Sequence, residues 1–210
     1  MCDKILFIIN YYSFFCVLII TATMKNIVLF ASGSGSNVEK IIHYFKDSTN
    51  VKIVAIFSNN ATAKVLEKAK FYQINCQIVP KEELNSSQFA EKMRELNPDL
   101  IILAGFLLKF PSEIISLFPN RIINIHPALL PKYGGKGMYG MHVHQAVLEN
   151  NEAETGITIH YVNENYDEGA FIFQQSVTIE GCNTAEEIAV KVLQLEHYHF
   201  PIIIEKLLTT

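Results

Sequence analysis

From Asn26 onward, short apolar runs alternate with segments whose apolar residues recur every three to four positions. The short runs are rich in Val, Ile and Leu, which is typical of strands buried on both faces of a parallel sheet. Strands are predicted at Asn26–Ala31, Val51–Phe57, Asn75–Val79, Leu100–Ala104 and Arg121–Ile125. Helices are predicted between them at Asn37–Lys46, Lys64–Tyr72, Ser87–Leu96 and Ser112–Leu117. This alternation predicts a doubly wound α/β fold with a mostly parallel sheet.

The second half of the chain has a different pattern. Gly156–Val162 and Ala170–Ile179 alternate apolar and polar residues, which predicts a strand pair, or hairpin, added at one edge of the sheet. Thr184 and Glu187 have the spacing of a capping box. They predict the start of a long C-terminal helix that runs through Leu195.

The first 23 residues differ from the rest, because residues 5–22 are almost wholly apolar. That length is near the ~20 residues that a membrane-spanning helix needs. Three interpretations stay open: a signal or anchor helix, a loosely packed extension, or translation from an upstream start codon with Met24 as the natural start. We favour the start codon or an unimportant extension, which divides the chain into residues 1–23 and a domain at 24–210.

Composition narrows the class of protein. The chain has 210 residues, of which 50% are hydrophobic, so it can bury a full core. Its formal net charge of −4 argues against nucleic-acid binding. The four cysteines form no C-x-x-C pair, which favours a reducing compartment and predicts a cytoplasmic protein. We therefore expect small-molecule substrates, no nucleic acid and no membrane partner, and either a monomer or a homodimer.

Asn124 and His126 are the strongest candidates for chemistry. They lie two apart at the end of a predicted strand, so both side chains point to the same side, and Pro127 ends the strand. In open α/β sheets, ligands bind at the carboxyl ends of the strands. If Asp167 folds back to this point, an amide, an imidazole and a carboxylate form a carbonyl-activating centre. Taken singly, His126 is more often a structural histidine and Asp167 a solvated turn residue.

A second candidate site is the turn between the first predicted strand and helix. It consists of Gly33, Ser34, Gly35, Ser36 and Asn37. Backbone amides at a helix N-terminus bind phosphate, and glycine lets the phosphate approach the main chain. A dinucleotide site would need a third glycine and an acidic residue after the second strand, where Asn59 and Asn60 stand. A mononucleotide-like phosphate fits better, with a ligand-free tight turn as the alternative.

The segment 131–141 is rich in glycine and follows His126 closely. It predicts either a mobile lid or a surface loop that needs several positive φ angles. His142, His144, His160 and His197 raise the question of a metal site. No zinc motif or cysteine ligand set accompanies them, so we expect no metal.

Several ordered motifs resemble those of the folate-dependent formyltransferases. They are Phe30–Asn37, Ala104-Gly105-Phe106, Asn124–Pro131, Gly156–His160 and Glu196-His197, and they cover nearly the whole chain from Met24. The resemblance implies a Rossmann-like formyltransferase fold. It also implies transfer of a formyl group from the co-substrate 10-formyltetrahydrofolate to the amine of 5-phosphoribosylglycinamide, in de novo purine biosynthesis.

The resemblance also implies residue roles. Asn124 and protonated His126 would stabilise a tetrahedral oxyanion, with Asp167 supporting His126. Gly33–Asn37 would bind the substrate phosphate and Glu196 the glycinamide part, and His142 and His160 would be supporting residues. Folate would be bound by the two segments Leu107, Leu108, Lys109, Phe110 and Asn163, Glu164, Asn165, Tyr166, Asp167, together with Asn124. Leu108, Ser87 and Leu193 depart from residues common in the family.

Three alternative functions stay open. Methionyl-tRNA formyltransferases carry a further C-terminal domain, and formyltetrahydrofolate hydrolases carry an N-terminal regulatory domain, so this chain is expected to be neither. The alternative from another class is a non-catalytic nucleotide-binding module anchored by residues 5–22. Retention of Asn124, His126 and Asp167 together argues against that alternative.

Overall fold

The computed structural model describes residues 24–209. The strands in this part are β1 Lys25–Phe30, β2 Val51–Ser58, β3 Cys76–Ile78, β4 Leu100–Leu103, β5 Ile122–His126, β6 Glu154–Tyr161 and β7 Phe171–Thr178. The helices are α1 Ser36–Phe45, α2 Lys64–Phe71, α3 Lys81–Leu84, α4 Ser87–Leu96, α5 Ser112–Leu117, α6 Met141–Glu149 and α7 Ala185–Thr209. Residues 1–23, for which the sequence leaves three interpretations open, lie outside the described residues.

The strands form one sheet in the order β3-β2-β1-β4-β5-β6-β7. The pairs from β3 to β5 are parallel, whereas β5 with β6 and β6 with β7 are antiparallel. The chain winds outward from β1 to β3 and then crosses to β4 on the other side of β1. This reversal creates a crevice at the carboxyl ends of β1 and β4, where doubly wound sheets bind ligands. The predicted fold class and edge hairpin are confirmed.

Alternate residues of the central strands supply two separate cores. In β1, Ile27 and Leu29 pack under α1 and α7, whereas Val28 and Phe30 pack under α4 and α5. A strand covered on both faces has no polar side, which explains why these runs read as continuously apolar. We call the first side the α1/α7 face and the second the α4/α5 face.

The capping box at the start of α7 is present. The Thr184 hydroxyl accepts a hydrogen bond from the Glu187 amide at 3.2 Å, and the Glu187 carboxylate accepts one from the Thr184 amide at 3.3 Å. The predicted C-terminal helix is confirmed, and it continues through Pro201 to Thr209. None of the helices within residues 24–209 has the length and apolar character needed to cross a membrane.

Two helices were not assigned from the sequence. α3 is a single turn of four residues. α6 directly follows the glycine-rich segment, and its buried positions are Val143, His144 and Val147. A histidine at a buried position interrupts the apolar stripe that normally marks a helix. β3 is also shorter than predicted, since only Cys76–Ile78 pair with β2.

Candidate active site

A cavity of about 790 Å³ opens at the carboxyl ends of the central strands. This volume is within the range of small-molecule sites. Its walls come from the turn after β1, the segment after β4, the end of β5, the glycine-rich segment, the turn after β6 and one side of α7. Residues from six separated parts of the chain therefore meet at the crevice that the strand order creates.

Asn124 and His126 project from the end of β5 into this cavity, as their spacing predicts. Asn124 Nδ2 lies 3.2 Å from His160 Nε2 on the neighbouring strand β6. The other ring nitrogen of His160, Nδ1, donates to the carbonyl oxygen of Tyr161 at 2.8 Å, which fixes the orientation of the ring. His160 thus orients the Asn124 amide, whose second hydrogen is left for a ligand.

Asp167 completes the predicted triad. Its Oδ2 lies 3.5 Å from His126 Nδ1, and its Oδ1 lies 3.6 Å from His160 Nε2. Oδ2 also accepts a hydrogen bond from the Gly135 amide at 2.9 Å. Burial raises the pKa of Asp167, but the contacts with His160, His126 and Gly135 outweigh it, so the pKa falls below its ordinary value. Asp167 is therefore a carboxylate at neutral pH.

The turn that presents Asp167 has special backbone geometry. Asp167 itself has a φ of 57°, which aspartate tolerates better than most residues. Two residues on, a Cβ at Gly169 would overlap the carbonyl oxygen of Tyr161. The Asp167-Glu168-Gly169 sequence is therefore explained by a turn that folds tightly back onto β6.

His126 is almost fully buried, with 3% of its surface exposed. Burial lowers its pKa, although the Asp167 carboxylate and a 2.8 Å hydrogen bond from Nε2 to the carbonyl oxygen of Tyr133 act in the opposite direction. Nε2 therefore carries a proton, and Nδ1 is the nitrogen that exchanges protons beside Asp167. Burial thus favours the neutral ring and the Asp167 carboxylate favours the protonated one, and the role of a protonated His126 stays a prediction.

The predicted phosphate loop lines the same cavity as this triad. Gly33, Ser34, Gly35, Ser36 and Asn37 all line it. Gly35 caps α1 with a φ of 66°, and a Cβ there would come 2.6 Å from Val65 Cγ2, so this glycine is required by packing alone. A Cβ at Gly33 would meet nothing within 4 Å. Gly33, rather than Gly35, is therefore the position at which a missing side chain leaves room for a ligand.

Ser32 joins the phosphate loop to the segment after β4, a connection that the sequence did not reveal. Its hydroxyl donates to Asn59 at 2.6 Å and accepts a hydrogen bond from the Leu107 amide at 2.9 Å. A hydroxyl that donates to one segment and accepts from another holds the two segments at a fixed distance. The two ligand-binding segments predicted after β1 and β4 are thus held together through one side chain.

Glu196 projects from α7 into the cavity and is 9% exposed. Burial raises its pKa to about 7, although Asn37 Nδ2 donates to its Oε2 at 2.6 Å and acts against that shift. Asn37 Oδ1 is buried and has no hydrogen-bond partner among residues 24–209. A carboxyl whose pKa is close to neutral pH and an unpaired carbonyl oxygen therefore lie together beside the predicted phosphate loop.

The two predicted folate segments lie at the same opening. Leu107, Leu108, Lys109 and Phe110 line the cavity after β4, and Asn163, Asn165, Tyr166 and Asp167 line it after β6. Glu164 is not among the lining residues, so the structure does not bring it to the site. Phe110 is buried against the ring of Phe30, with centroids 5.0 Å apart, which anchors its segment to the core.

The structure separates the two neighbouring histidines of α6. His142 is exposed, packs its ring against Tyr139 and does not line the cavity. His144 does line the cavity and is 6% exposed, and its Nδ1 has no hydrogen-bond partner among the described residues. Burial and the nearby His126 lower the pKa of His144. Because successive residues of a helix diverge, the start of α6 at Met141 decides which histidine faces inward.

The glycine-rich segment forms one wall of the cavity. Gly135, Gly137 and Gly140 have φ angles of 94°, 92° and 53°, respectively. The expectation that this segment needs several positive φ angles is therefore confirmed, and its role as a lid stays a prediction. Across residues 24–209, no group of three or more His, Cys, Asp or Glu side chains is placed to hold a metal ion.

Fold and site together define a Rossmann-like α/β protein whose cavity is lined by an amide, an imidazole and a carboxylate and by a glycine-containing turn between a strand and a helix. Residues 25–204 match the sequence model of a family described as formyl transferase, and the chain belongs to that family. The chain is 41% identical to phosphoribosylglycinamide formyltransferase, chloroplastic, of Arabidopsis thaliana, over 82% of this chain and 62% of that protein. It thus spans less than two thirds of that relative.

Other relatives are matched over most of their length. The chain is 33% identical to phosphoribosylglycinamide formyltransferase of Escherichia coli (strain K12), over 85% of each protein. The crystal structure of phosphoribosylglycinamide formyltransferase from Anaplasma phagocytophilum superposes with a TM-score of 0.80 at 31% identity. That superposition covers 88% of this chain and 86% of the other.

Proposed function

We propose that the chain transfers a formyl group from 10-formyltetrahydrofolate to the amine of 5-phosphoribosylglycinamide, as a step of de novo purine biosynthesis. The observation that carries this proposal is the convergence of Asn124, His126 and Asp167 in a cavity that the Gly33–Asn37 turn also lines. The names of the relatives in Arabidopsis and Escherichia coli support the choice of acceptor.

The reaction begins with attack of the substrate amine on the formyl carbon. A negative charge then develops on the formyl oxygen, and the second amide hydrogen of Asn124 donates to it. The developing negative charge favours a proton on His126 Nδ1, which lies beside Asp167. Fixed donors of this kind stabilise the transition state more than the substrate, because the charge is absent before attack.

Collapse of the intermediate breaks the bond between the formyl carbon and N10 of the folate. The amine must lose a proton and N10 must gain one, so the proton balance closes within the site. Asp167 is a carboxylate at neutral pH and lies 3.5 Å from His126 Nδ1, so these two groups are placed to accept the proton and return it. His160 acts through Asn124 and Asp167 and is a positioning residue.

The folate is proposed to lie between Leu107–Phe110 and Asn163–Asp167, on the side of the cavity next to the α4/α5 face. Leu108 packs against the core of that face and supplies an apolar surface for a flat ring. The acceptor is proposed to lie on the α1/α7 side, with its phosphate at Gly33–Asn37 and its amine between Glu196 and Asp167. No metal enters this scheme.

We further propose that residues 24–210 form the catalytic domain and that the protein works in the cytoplasm on small molecules, as a monomer or homodimer. The described residues Cys76 and Cys182 are free thiols, which fits a reducing compartment.

The test is an assay of the purified full chain with both substrates. Loss of 10-formyltetrahydrofolate is followed by absorbance, and the formylated acceptor is identified by mass spectrometry. We expect consumption that requires the acceptor and yields one product per donor consumed. Equal consumption without the acceptor would indicate a hydrolase instead. No consumption under either condition would favour the non-catalytic nucleotide-binding module.

A further inference from the structure

The cavity lining contains lysines that the proposed mechanism does not use. Its lining contains two lysines, Lys109 and Lys136, and two carboxylates, Asp167 and Glu196. Asp167 and Glu196 have partners, which are histidine rings and the Asn37 amide. Among residues 24–209, neither lysine has a hydrogen bond or an ion pair. Two cations without a partner among the described residues are therefore available to an anionic ligand.

The two lysines lie in segments that follow different strands, Lys109 after β4 and Lys136 after β5. Lys109 lies between Leu108 and Phe110, both of which pack into the core of the α4/α5 face. Lys136 follows Tyr133, which packs into the core of the α1/α7 face. Lys136 nevertheless lines the same cavity as the phosphate loop and Glu196.

The phosphate loop itself provides no cation. Gly33–Asn37 offers amide groups, one hydroxyl from each serine and a carboxamide, but no lysine or arginine. A phosphate monoester carries nearly two negative charges near pH 7, and backbone amides alone leave most of that charge unneutralised. A cation on the same side of the cavity would complete the site.

The backbone around Lys136 is built to present this residue. Gly135 and Gly137 on either side have φ angles of 94° and 92°, a conformation that residues with side chains rarely adopt. The Gly135 amide donates to Asp167 Oδ2 at 2.9 Å. One residue before Lys136, the segment is thus tied to the catalytic carboxylate, while the lysine side chain remains exposed.

We propose that Lys136 binds the phosphate of the acceptor substrate and supplies the charge that the Gly33–Asn37 turn lacks. This inference rests on the proposed function, since it takes the acceptor to be a phosphoribosyl compound. Because Lys136 neighbours the residue that holds Asp167, phosphate binding would also stabilise the segment that positions the catalytic carboxylate. The lysine is then a determinant of specificity for phosphorylated over unphosphorylated acceptors.

The test compares Lys136→Met with the matched variant Lys109→Met in the full chain. Each is assayed with 5-phosphoribosylglycinamide and with the same compound lacking the phosphate. For Lys136→Met we expect kcat/KM to fall about tenfold at low ionic strength for the phosphorylated acceptor only, since the pair is exposed to solvent. The KM for the folate should not change, and Lys136→Arg should restore most of the loss. Lys109→Met should leave the discrimination between the two acceptors unchanged.

A binding measurement separates this inference from the proposed function. Ribose 5-phosphate is titrated into the parent chain and both variants by calorimetry, and we expect weaker binding in Lys136→Met alone. If the parent shows no formyl transfer, the proposed function fails, and this titration still decides the role of Lys136. Equal discrimination against the unphosphorylated acceptor in the parent and in Lys136→Met would overturn the inference. A raised KM for folate in Lys136→Met would instead assign the lysine to the folate glutamate.

Discussion

Replacing Glu196 with glutamine should make the protein more stable above neutral pH while impairing binding of the acceptor substrate. Glu196 is buried in the cavity wall, and burial raises its pKa from an ordinary 4.5 to about 7. Its partner is the Asn37 amide, which is neutral and does not compensate a buried charge. Glutamine has nearly the same shape and cannot ionise, so the substitution removes the charge and little else.

The magnitude follows from proton linkage. Since the folded-state pKa is raised, the stability contributed by the protonated carboxyl is fully present below pH 4.5. It is lost as the pH rises from 4.5 to about 7, and the loss amounts to about 3 kcal/mol. Glu196→Gln does not incur this loss. The difference between variant and parent should therefore be small near pH 4.5 and level off above pH 7, at a melting temperature roughly 6–12 °C higher for the variant.

The assay is thermal unfolding of both proteins between pH 5 and pH 8.5. Taking the difference at each pH cancels the other titrating groups, which the two proteins share. Glu186→Gln serves as the control, because Glu186 lies on the same helix and is exposed. We expect no pH-dependent difference for that variant. A Glu196→Gln difference that is constant across the pH range would show that Glu196 ionises normally and would refute the argument from burial.

The same substitution has a cost in function. Glu196 is proposed to lie near the acceptor amine, whose positive charge would favour the carboxylate. The parent should therefore gain more stability from 5-phosphoribosylglycinamide at pH 8 than Glu196→Gln does, and the KM of the variant for this acceptor should rise. Enzymes commonly lose some stability of the ligand-free protein by keeping the polar groups that bind the ligand.

Two further predictions concern the centre and the phosphate loop. Asp167→Asn should lower turnover by roughly 10²–10⁴ with little change in folate affinity. Glu168→Gln should be mild, because its exposed carboxylate accepts a hydrogen bond from the Asn165 side chain on the protein surface. Near-normal turnover in the Asp167 variant together with lost turnover in the Glu168 variant would contradict the mechanism. Gly33→Val should weaken acceptor binding at an unchanged melting temperature, because a Cβ at Gly33 meets nothing within 4 Å. Gly35→Val should lower the melting temperature, because its Cβ would collide with Val65. Equal destabilisation by both variants would show that Gly33 has a structural role.

The parallel strands were predictable because both faces of the sheet are covered. Residues Ile27 to Phe30 are all buried, so the apolar run in the sequence reports the environment directly. α6 was not predictable in the same way, since its buried side includes His144 and its start depends on a glycine backbone at Gly140. Position along the chain predicted that Asn124 and His126 share one side of β5, but it gave no information about their long-range partners.

The contact of Asp167 with His126 depends on the turn between β6 and β7. That turn brings together residues 41 positions apart, and no local pattern contains this information. The family resemblance supplied it instead, and the 3.5 Å distance now supports the pairing. The resemblance was less useful for α6, where it pointed to His142 while the cavity is lined by His144.

Glu196 carried a sequence signal that can be recognised in retrospect. Ile188, Val192, Glu196, Phe200 and Ile204 are spaced four apart on α7, and all five are buried. A carboxylate within an apolar stripe costs stability unless it has a charged or hydrogen-bonding partner. Such a residue in a helix that reaches the carboxyl edge of the sheet is a candidate for ligand binding.

The same reasoning extends to the buried polar residues as a group. Nine polar or charged residues in the described chain are buried, and five of them line the cavity: Asn37, His126, His144, His160 and Glu196. Two of these, Asn37 and His144, have a buried atom without a hydrogen-bond partner within residues 24–209. Each unpaired buried polar atom costs about 1–3 kcal/mol, so the fold is locally less stable here than an apolar wall would be. The cost is concentrated where ligands are proposed to bind, and their polar groups would recover part of it.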